Sequence, residues 1–172
     1  MQLVQTFSLL VPILIPGIFL VISLRFKLFT IFYLSLDFKQ TLNGERFLGD
    51  NKTFLGFFVY FFGAFITCYL LTLFFNPTYL HQIFSKNPFM IGLIYGFFYN
   101  LGEIINSFIK RRLGIPPGKS VNTFQYLGDL LDGLIGVAFV LVLLDLVSIS
   151  DVFFAGILGL GIHYSVDQLM HR

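Results

Sequence analysis

The sequence predicts an all-α, polytopic membrane protein, a bundle of about five transmembrane helices in a single domain over residues 1–172. Its composition is 56% hydrophobic and 12% charged, with a mean hydropathy of +0.85, whereas about a quarter of the residues of a soluble domain are charged. The apolar residues are also gathered into runs of roughly 20, which is the length that crosses a hydrocarbon core about 30 Å thick. Only short polar loops separate these runs, so a second domain has no room.

Five apolar runs are predicted to cross the bilayer. The first, residues 3–24, contains Pro12 and Pro16, which should kink its helix. The next apolar segment, residues 28–36, is too short to cross and is expected at the membrane interface. The other four predicted crossings are residues 54–75, 89–109, 130–147 and 152–164.

The basic residues predict the orientation, because short cytoplasmic loops are enriched in Lys and Arg. With five crossings, ten of the eleven fall on one side and only Lys86 falls on the other. The ten are Arg25, Lys27, Lys39, Arg46, Lys52, Lys110, Arg111, Arg112, Lys119 and Arg172. We therefore expect a multi-pass protein of the cell membrane with its N-terminus outside and its C-terminus in the cytoplasm. A net charge of +2 does not indicate nucleic-acid binding, and a homo-oligomer stays open.

Three polar clusters lie at the predicted cytoplasmic side, and they do not resemble ordinary loops. They are Gly-Asp-Asn-Lys-Thr at 49–53, the segment 102–112 and the segment 128–136. On a helix, Asn100, Glu103, Ser107 and Lys110 form one polar stripe. Carboxylates at helix depth in a membrane are costly, so they are usually paired or functional.

The aspartates and the cations together indicate phosphoryl chemistry on a lipid. Asp129 and Asp132 are one helical turn apart, which suits Mg²⁺, a hard cation that keeps water or phosphate ligands. Four cations would provide the charge that a polyphosphate needs, namely Lys52, Lys110, Arg111 and Arg112. A metal beside cations at the membrane surface is typical of such transfer sites.

Simpler roles remain open for each cluster taken alone. The basic run 110–112 could only anchor its helix, Asp50 and Asn51 could cap the second membrane helix, and Asp129 and Asp132 could lie in the first turn of the fourth. A non-enzymatic alternative is a small proton-coupled transporter, which predicts polar residues spread over both sides of the bilayer. Here the polar residues crowd one side, which favours an enzyme.

Three stretches, in this order, resemble the archaeal CDP-archaeol synthase family, relatives of phosphatidate cytidylyltransferase. They are residues 37–56, with Gly49-Asp50-Asn51-Lys52-Thr53, residues 107–118, with Lys110-Arg111-Arg112, and the pair Asp129-x-x-Asp132. The chain departs from the family pattern at Asn43 and Glu103, where aspartates are expected, and at Asp167, where Asn is usual. Residues 120–128 also lack an expected proline.

The resemblance implies an Mg²⁺-dependent transfer of CMP from CTP to a membrane lipid phosphate, with pyrophosphate released. Asp129 and Asp132 would bind the metal, with Asp50 or Glu103 completing the ligand shell. Lys52, Lys110 and Arg111 would hold the triphosphate. The remaining substrate-binding candidates are Asn51, Thr53, Ser107 and Arg112.

Two related activities are the alternatives to this reading. The first is a phosphatidate cytidylyltransferase that makes CDP-diacylglycerol, because nothing in the residues specifies the lipid. The second is suggested by Asp129-x-x-Asp132-Gly133, which also resembles the start of a CDP-alcohol phosphotransferase motif. The two later aspartates of that motif are missing at the required spacing, so it is set aside.

Overall fold

The computed structural model describes the backbone of residues 2–170 and the side chains of residues 3–165. Arg172, which was counted in the charge distribution, and the side chain of Asp167 lie outside the described residues. The helices are α1 (Gln2–Ser8), α2 (Val11–Arg25), α3 (Phe54–Phe74), α4 (Pro88–Arg112), α5 (Thr123–Leu143) and α6 (Ile149–Met170). A small antiparallel hairpin, β1 (Thr41–Leu42) and β2 (Glu45–Arg46), lies between α2 and α3.

The predicted helical membrane bundle is confirmed. Within the described residues, α3, α4 and α5 are long and apolar enough to cross a membrane, with hydropathies of 2.1, 1.3 and 1.9. The helix α2 and residues 149–165 of α6 are apolar but shorter. The segment predicted at the interface contains a three-residue 3₁₀ turn, Thr30–Phe32, and an isolated β-bridge from Ser35 to Thr53.

The first predicted crossing is broken rather than kinked. The helix α1 ends at Ser8 and α2 begins at Val11. Pro12 has no N–H to donate to the Ser8 carbonyl four residues earlier, so the helical hydrogen-bond ladder stops there. Pro16, in the middle of α2, is accommodated within the helix.

The starts of α3 and α5 exclude two of the simpler roles. Thr53 caps α3, because its Oγ1 accepts a hydrogen bond from Gly56 N at 3.3 Å. Asn122 caps α5 in the same way, accepting from Gln125 N at 2.9 Å. The helix α5 thus begins seven residues earlier than its apolar run, and Asp129 and Asp132 lie beyond its first turn. Neither Asp50 nor the aspartate pair is a helix cap.

The helix α4 packs between α3 and α5 at glycines, where the backbones almost touch. A Cβ at Gly96 would lie 2.6 Å from the Phe61 carbonyl oxygen of α3. A Cβ at Gly102 would collide with the Asp132 carbonyl oxygen of α5. This approach places the last turns of α4 directly beside Asp129 and Asp132.

Both basic loops lie at the same end of the bundle, which we call the basic end (residues 26–53 and 110–122). The Arg112 guanidinium at the end of α4 donates to the carbonyl oxygens of Leu42, Glu45 and Arg46 in the hairpin, at 2.8, 3.2 and 2.6 Å. At the opposite end, His81 N donates to Ser8 Oγ at 2.9 Å. The charge pattern therefore predicted correctly that the two loops lie at one end of the bundle, and the side that faces the cytoplasm stays a prediction.

Candidate active site

The two aspartates of α5 are joined by one side chain of α4. The Asn106 amide nitrogen donates to Asp129 Oδ1 at 2.8 Å and to Asp132 Oδ2 at 3.0 Å. Both carboxylates therefore face the same narrow space between α4 and α5. Asp132 also accepts from the N–H of Gly133 at 2.7 Å.

Asp129 has further partners from two other segments. Lys110 Nζ, one turn beyond Asn106 on α4, lies 2.5 Å from Asp129 Oδ2. Ser120, in the loop between α4 and α5, donates its hydroxyl to the same oxygen at 2.6 Å. This bond draws the loop over the carboxylate.

A second ion pair lies beside the first. Lys52 Nζ is 2.6 Å from Glu103 Oε2, and both side chains are largely buried. Burial by itself would lower the pKa of Lys52, but the negative charges of Glu103, Asp132 and Asp129 raise it above its ordinary value of 10.5. The ammonium thus stays protonated at physiological pH. We call Lys52, Glu103, Asn106, Lys110, Asp129 and Asp132 the interhelical cluster.

The loop that carries Lys52 depends on one glycine. Gly49 has φ +116°, a conformation that other residues rarely adopt. A Cβ there would also lie 2.8 Å from Pro117 Cγ in the loop between α4 and α5. Gly49 therefore lets the two loops of the basic end pack together.

Among the described residues, Arg111 is a buried cation without a hydrogen-bond partner for its Nε and Nη1 atoms. It is 3% exposed. A buried guanidinium with unmade bonds is destabilising by a few kcal/mol, and an anion would satisfy it.

Asp37 forms a separate arrangement in the loop before α3. It accepts from Arg46 Nη2 at 2.7 Å, Arg46 Nε at 3.1 Å, and the backbone N–H groups of Lys39, Leu48 and Gly49. Burial would raise the pKa of Asp37, but these hydrogen bonds outweigh burial and lower the pKa well below its usual range. Arg46 also bonds Asp50 at 3.0 Å. We call Asp37, Arg46 and Asp50 the loop cluster.

The other predicted site residues are distributed around these two clusters. The Asp50 side chain is 73% exposed, Asn51 is exposed, and Ser107 is buried on α4. A cavity of about 350 Å³ is lined by Asp50, Asn51, Lys52, Thr53 and Glu103, together with Tyr60 and apolar residues of α2. Arg112 lies over the Phe108 ring, with its guanidinium carbon 5.3 Å from the ring centroid, and holds the hairpin.

Two residues of this arrangement were absent from the predicted site. Asn106 lies three residues after Glu103 and four before Lys110, so its helical spacing could have revealed it. Ser120 had no such signal, because its position depends on how the loop folds back.

The donor set fits a magnesium ion held together with substrate phosphates. Among the described residues, no group of three or more His, Cys, Asp or Glu side chains surrounds one point. Asp129 and Asp132 nevertheless offer carboxylate oxygens bridged by a single amide. Mg²⁺ is usually bound by one or two carboxylates, with water and phosphate oxygens as its other ligands.

The chain is similar to proteins described as CDP-archaeol synthases. A family model described as "CarS-like: CDP-archaeol synthase" matches residues 4–172. The CDP-archaeol synthase of Sulfolobus acidocaldarius is 30% identical over 142 residues, which cover 80% of this chain and 77% of that protein. The Saccharolobus solfataricus CDP-archaeol synthase is 35% identical over 112 residues, covering 63% of this chain and 58% of the relative.

The fold also matches a solved structure of an intramembrane enzyme for archaeal membrane lipid biosynthesis. The TM-score is 0.69 at 22% sequence identity, and the match covers 94% of this chain and 91% of the other. Because the identity is low, this likeness supports the fold.

Proposed function

This chain belongs to the CDP-archaeol synthase family, and from that premise we propose that it transfers CMP from CTP to an isoprenoid glycerol phosphate with the help of Mg²⁺. A phosphate oxygen of the lipid attacks the α-phosphorus of CTP, and a new P–O bond forms. The bond between the α-phosphorus and the bridging oxygen breaks, and pyrophosphate leaves. The products are a CDP-activated lipid and pyrophosphate.

The observation that carries this proposal is that a carboxylate of α5 and a guanidinium of α4 are both left without a counterion among the described residues. Within the described residues, Asp132 has no cation within ion-pair distance, and Arg111 has no anion. A magnesium ion would compensate Asp132, and a phosphate would compensate Arg111. A metal-bound nucleoside triphosphate provides both.

Each residue then has a distinct part in binding the substrates. Asp129 and Asp132 would hold Mg²⁺, which when bound neutralises charge on the phosphate oxygens. Lys110 and Arg111, adjacent on α4, would bind the phosphates that leave as pyrophosphate. Lys52 faces the cavity that also contacts apolar residues of α2, so it would bind the phosphate of the lipid. Oriented cations of this kind stabilise the charge that develops in phosphoryl transfer.

The direct test is transfer by the purified protein in detergent, with labelled CTP, Mg²⁺ and a panel of lipid phosphates. We expect equal amounts of CDP-lipid and pyrophosphate, fastest with the isoprenoid glycerol phosphate and abolished by a chelator. Faster turnover of phosphatidate would instead indicate a CDP-diacylglycerol synthase. No product from any lipid phosphate would contradict the proposal and leave the transporter alternative.

We propose further that the basic end faces the cytoplasm, where CTP is found. Cys68 is fully buried, so a cysteine introduced at an exposed loop position can be labelled selectively. In intact cells, an impermeant maleimide should label Asn87→Cys and leave Gln40→Cys unlabelled. After permeabilisation both should react. The reverse pattern would separate the site from cytosolic CTP and contradict the proposal.

A further inference from the structure

Among the described residues, α2 lines one apolar groove together with α6 and another together with α3. One, about 550 Å³, is lined by α2 residues 13–22 on one side and by Leu130, Ile162 and His163 on the other. We call it the α2–α6 groove. The other, about 980 Å³, runs between α2 and α3 from Phe32 to Phe75, and we call it the α2–α3 groove. Either has the apolar lining that a hydrocarbon chain requires.

Only the smaller groove is continuous with the polar site. Tyr60 lines both the α2–α6 groove and the cavity that contains Lys52 and Glu103. The α2–α3 groove shares no lining residue with that cavity.

Tyr60 is held rigidly at this junction. Its ring stacks on Tyr99 of α4, with centroids 4.0 Å apart, and the two hydroxyls are 3.1 Å apart. Gly17 of α2 leaves the room for it, because a Cβ there would lie 3.1 Å from Tyr60 Oη. The hydroxyl end of Tyr60 is therefore fixed where the apolar groove meets the polar cavity.

His163 of α6 also lines the α2–α6 groove. Its side chain is half-buried. An imidazole at the inner end of an apolar groove can donate a hydrogen bond to an anion. Together with Lys52, it puts a donor on each side of the junction.

We propose that the acceptor lipid binds with a hydrocarbon chain in the α2–α6 groove and with its phosphate between Lys52 and His163, beside Tyr60. This inference rests on the proposed function and identifies its lipid subsite. Continuity with the polar cavity and the hydrogen-bond donors of Lys52 and His163 both favour this groove over the larger one. His163 then binds the phosphate, and Tyr60 positions the lipid.

Photo-crosslinking tests the groove without requiring turnover. The probe is an isoprenoid glycerol phosphate with a diazirine in mid-chain, mapped by mass spectrometry with and without excess unlabelled lipid phosphate. We expect competed cross-links on α2 and α6, near Leu14 and Ile162, and only uncompeted ones near Phe58 and Phe62. Competed cross-links in the α2–α3 groove would overturn the assignment. If no transfer occurred at all, the proposed function would fail while this map still decided the groove.

A matched pair of substitutions tests the same point kinetically. Val21 and Val59 are both half-buried, and they line the α2–α6 and α2–α3 grooves respectively. Val21→Trp should raise the KM for the lipid phosphate about tenfold and leave the KM for CTP unchanged, while Val59→Trp should change neither more than about twofold. The opposite result would place the chain in the larger groove.

His163 is tested by separating the two substrates. His163→Ala should raise the KM for the lipid phosphate about tenfold without changing the KM for CTP, and His163→Gln, which keeps a donor, should recover part of the loss. An equal change in both KM values, or none in either, would show that His163 does not bind the lipid phosphate. Intact protein is verified by its thermal unfolding.

Discussion

The basic end holds two clusters of the same residue types that differ in where their partners come from. In the loop cluster, Asp37 accepts five hydrogen bonds, all from residues 39–49. In the interhelical cluster, the contacts join residue 52 to residue 103 and residues 106 and 110 to residue 129. Both clusters contain buried carboxylates beside cations, yet only the second depends on the packing of different helices.

The two clusters also differ in what they leave unsatisfied. The carboxylate of Asp37 is saturated, and that of Asp132 has only an amide and one backbone N–H as donors. Arg46 bonds two carboxylates, whereas Arg111 bonds none within the described residues. A saturated cluster stabilises its loop, and an unsaturated one retains the capacity to bind ions. The predictions below test this division, beginning with the largest effect.

Removing one charge from the aspartate pair should cause the largest loss. We expect Asp129→Asn and Asp132→Asn each to lower kcat/KM by about a hundredfold or more, because each supports both the position of Mg²⁺ and the neutralisation of phosphate. The double variant should be scarcely worse, since residues that act as a unit are not additive. Asp145→Asn, an exchange in the loop before α6, is the matched control. Near-normal turnover in both single variants would show that Asp129 and Asp132 do not belong to the active site.

Lys52→Ala should lower kcat/KM by about a hundredfold, equivalent to about 2.7 kcal/mol. The substitution removes the ammonium that pairs with Glu103. In the proposed function it also removes the ammonium that binds the lipid phosphate. Lys52→Arg should rescue poorly, because a planar guanidinium does not replace a compact ammonium. Lys39→Ala, in the same loop, is the control. Full activity in Lys52→Ala would show that Lys52 does not bind substrate and serves only to orient the chain in the membrane.

A substitution in the loop cluster should lower the stability of the protein and leave its catalytic activity nearly unchanged. Asp37→Asn weakens charge-assisted bonds, so we expect unfolding to become easier by about 1–3 kcal/mol, with activity per folded molecule within about threefold. The lowered pKa of Asp37 means that its contribution is complete above the ordinary value of 3.8 and is lost as the pH falls toward the folded-state pKa.

Thermal unfolding of Asp37→Asn and of the unsubstituted protein in detergent measures this dependence. The difference in midpoint should be constant between pH 5 and 7 and should narrow below about pH 4. A hundredfold loss of activity in a stably folded Asp37→Asn variant would break the division between the clusters.

The smallest effect is expected at Asp50, which the sequence placed among the metal ligands. Its side chain is 73% exposed and pairs with Arg46, and exposed pairs contribute about 1 kcal/mol or less. Asp50→Asn should therefore change kcat/KM by about threefold at most. A loss of kcat/KM as large as that caused by Asp132→Asn would indicate that Asp50 is a ligand of Mg²⁺.

The sequence predicted the bounds of α3 and α4 well and the start of α5 less well. The second and third predicted crossings agree with α3 and α4 within a few residues at each end. The helix α5 begins seven residues before its apolar run, because its first two turns include polar residues such as Gln125 and Asp129. Hydropathy measures transfer into lipid, and it does not register a helix that continues into a polar site.

Composition, apolar run length and charge distribution determined that this is a multi-pass helical bundle with most of its basic residues at one end, because the cost of placing charge in hydrocarbon acts on each residue separately. Helical spacing likewise placed Asp129 and Asp132 on one face. Only the tertiary structure decided that Asn106 bridges them, that Lys52 pairs with Glu103, and that Arg111 has no partner among the residues that the structure describes. Those relations depend on the contact of α4 with α5 at Gly102 and of the two loops at Gly49. Packing between segments distant in sequence has no local signature, so the division between a structural and a reactive carboxylate became visible only in the folded protein.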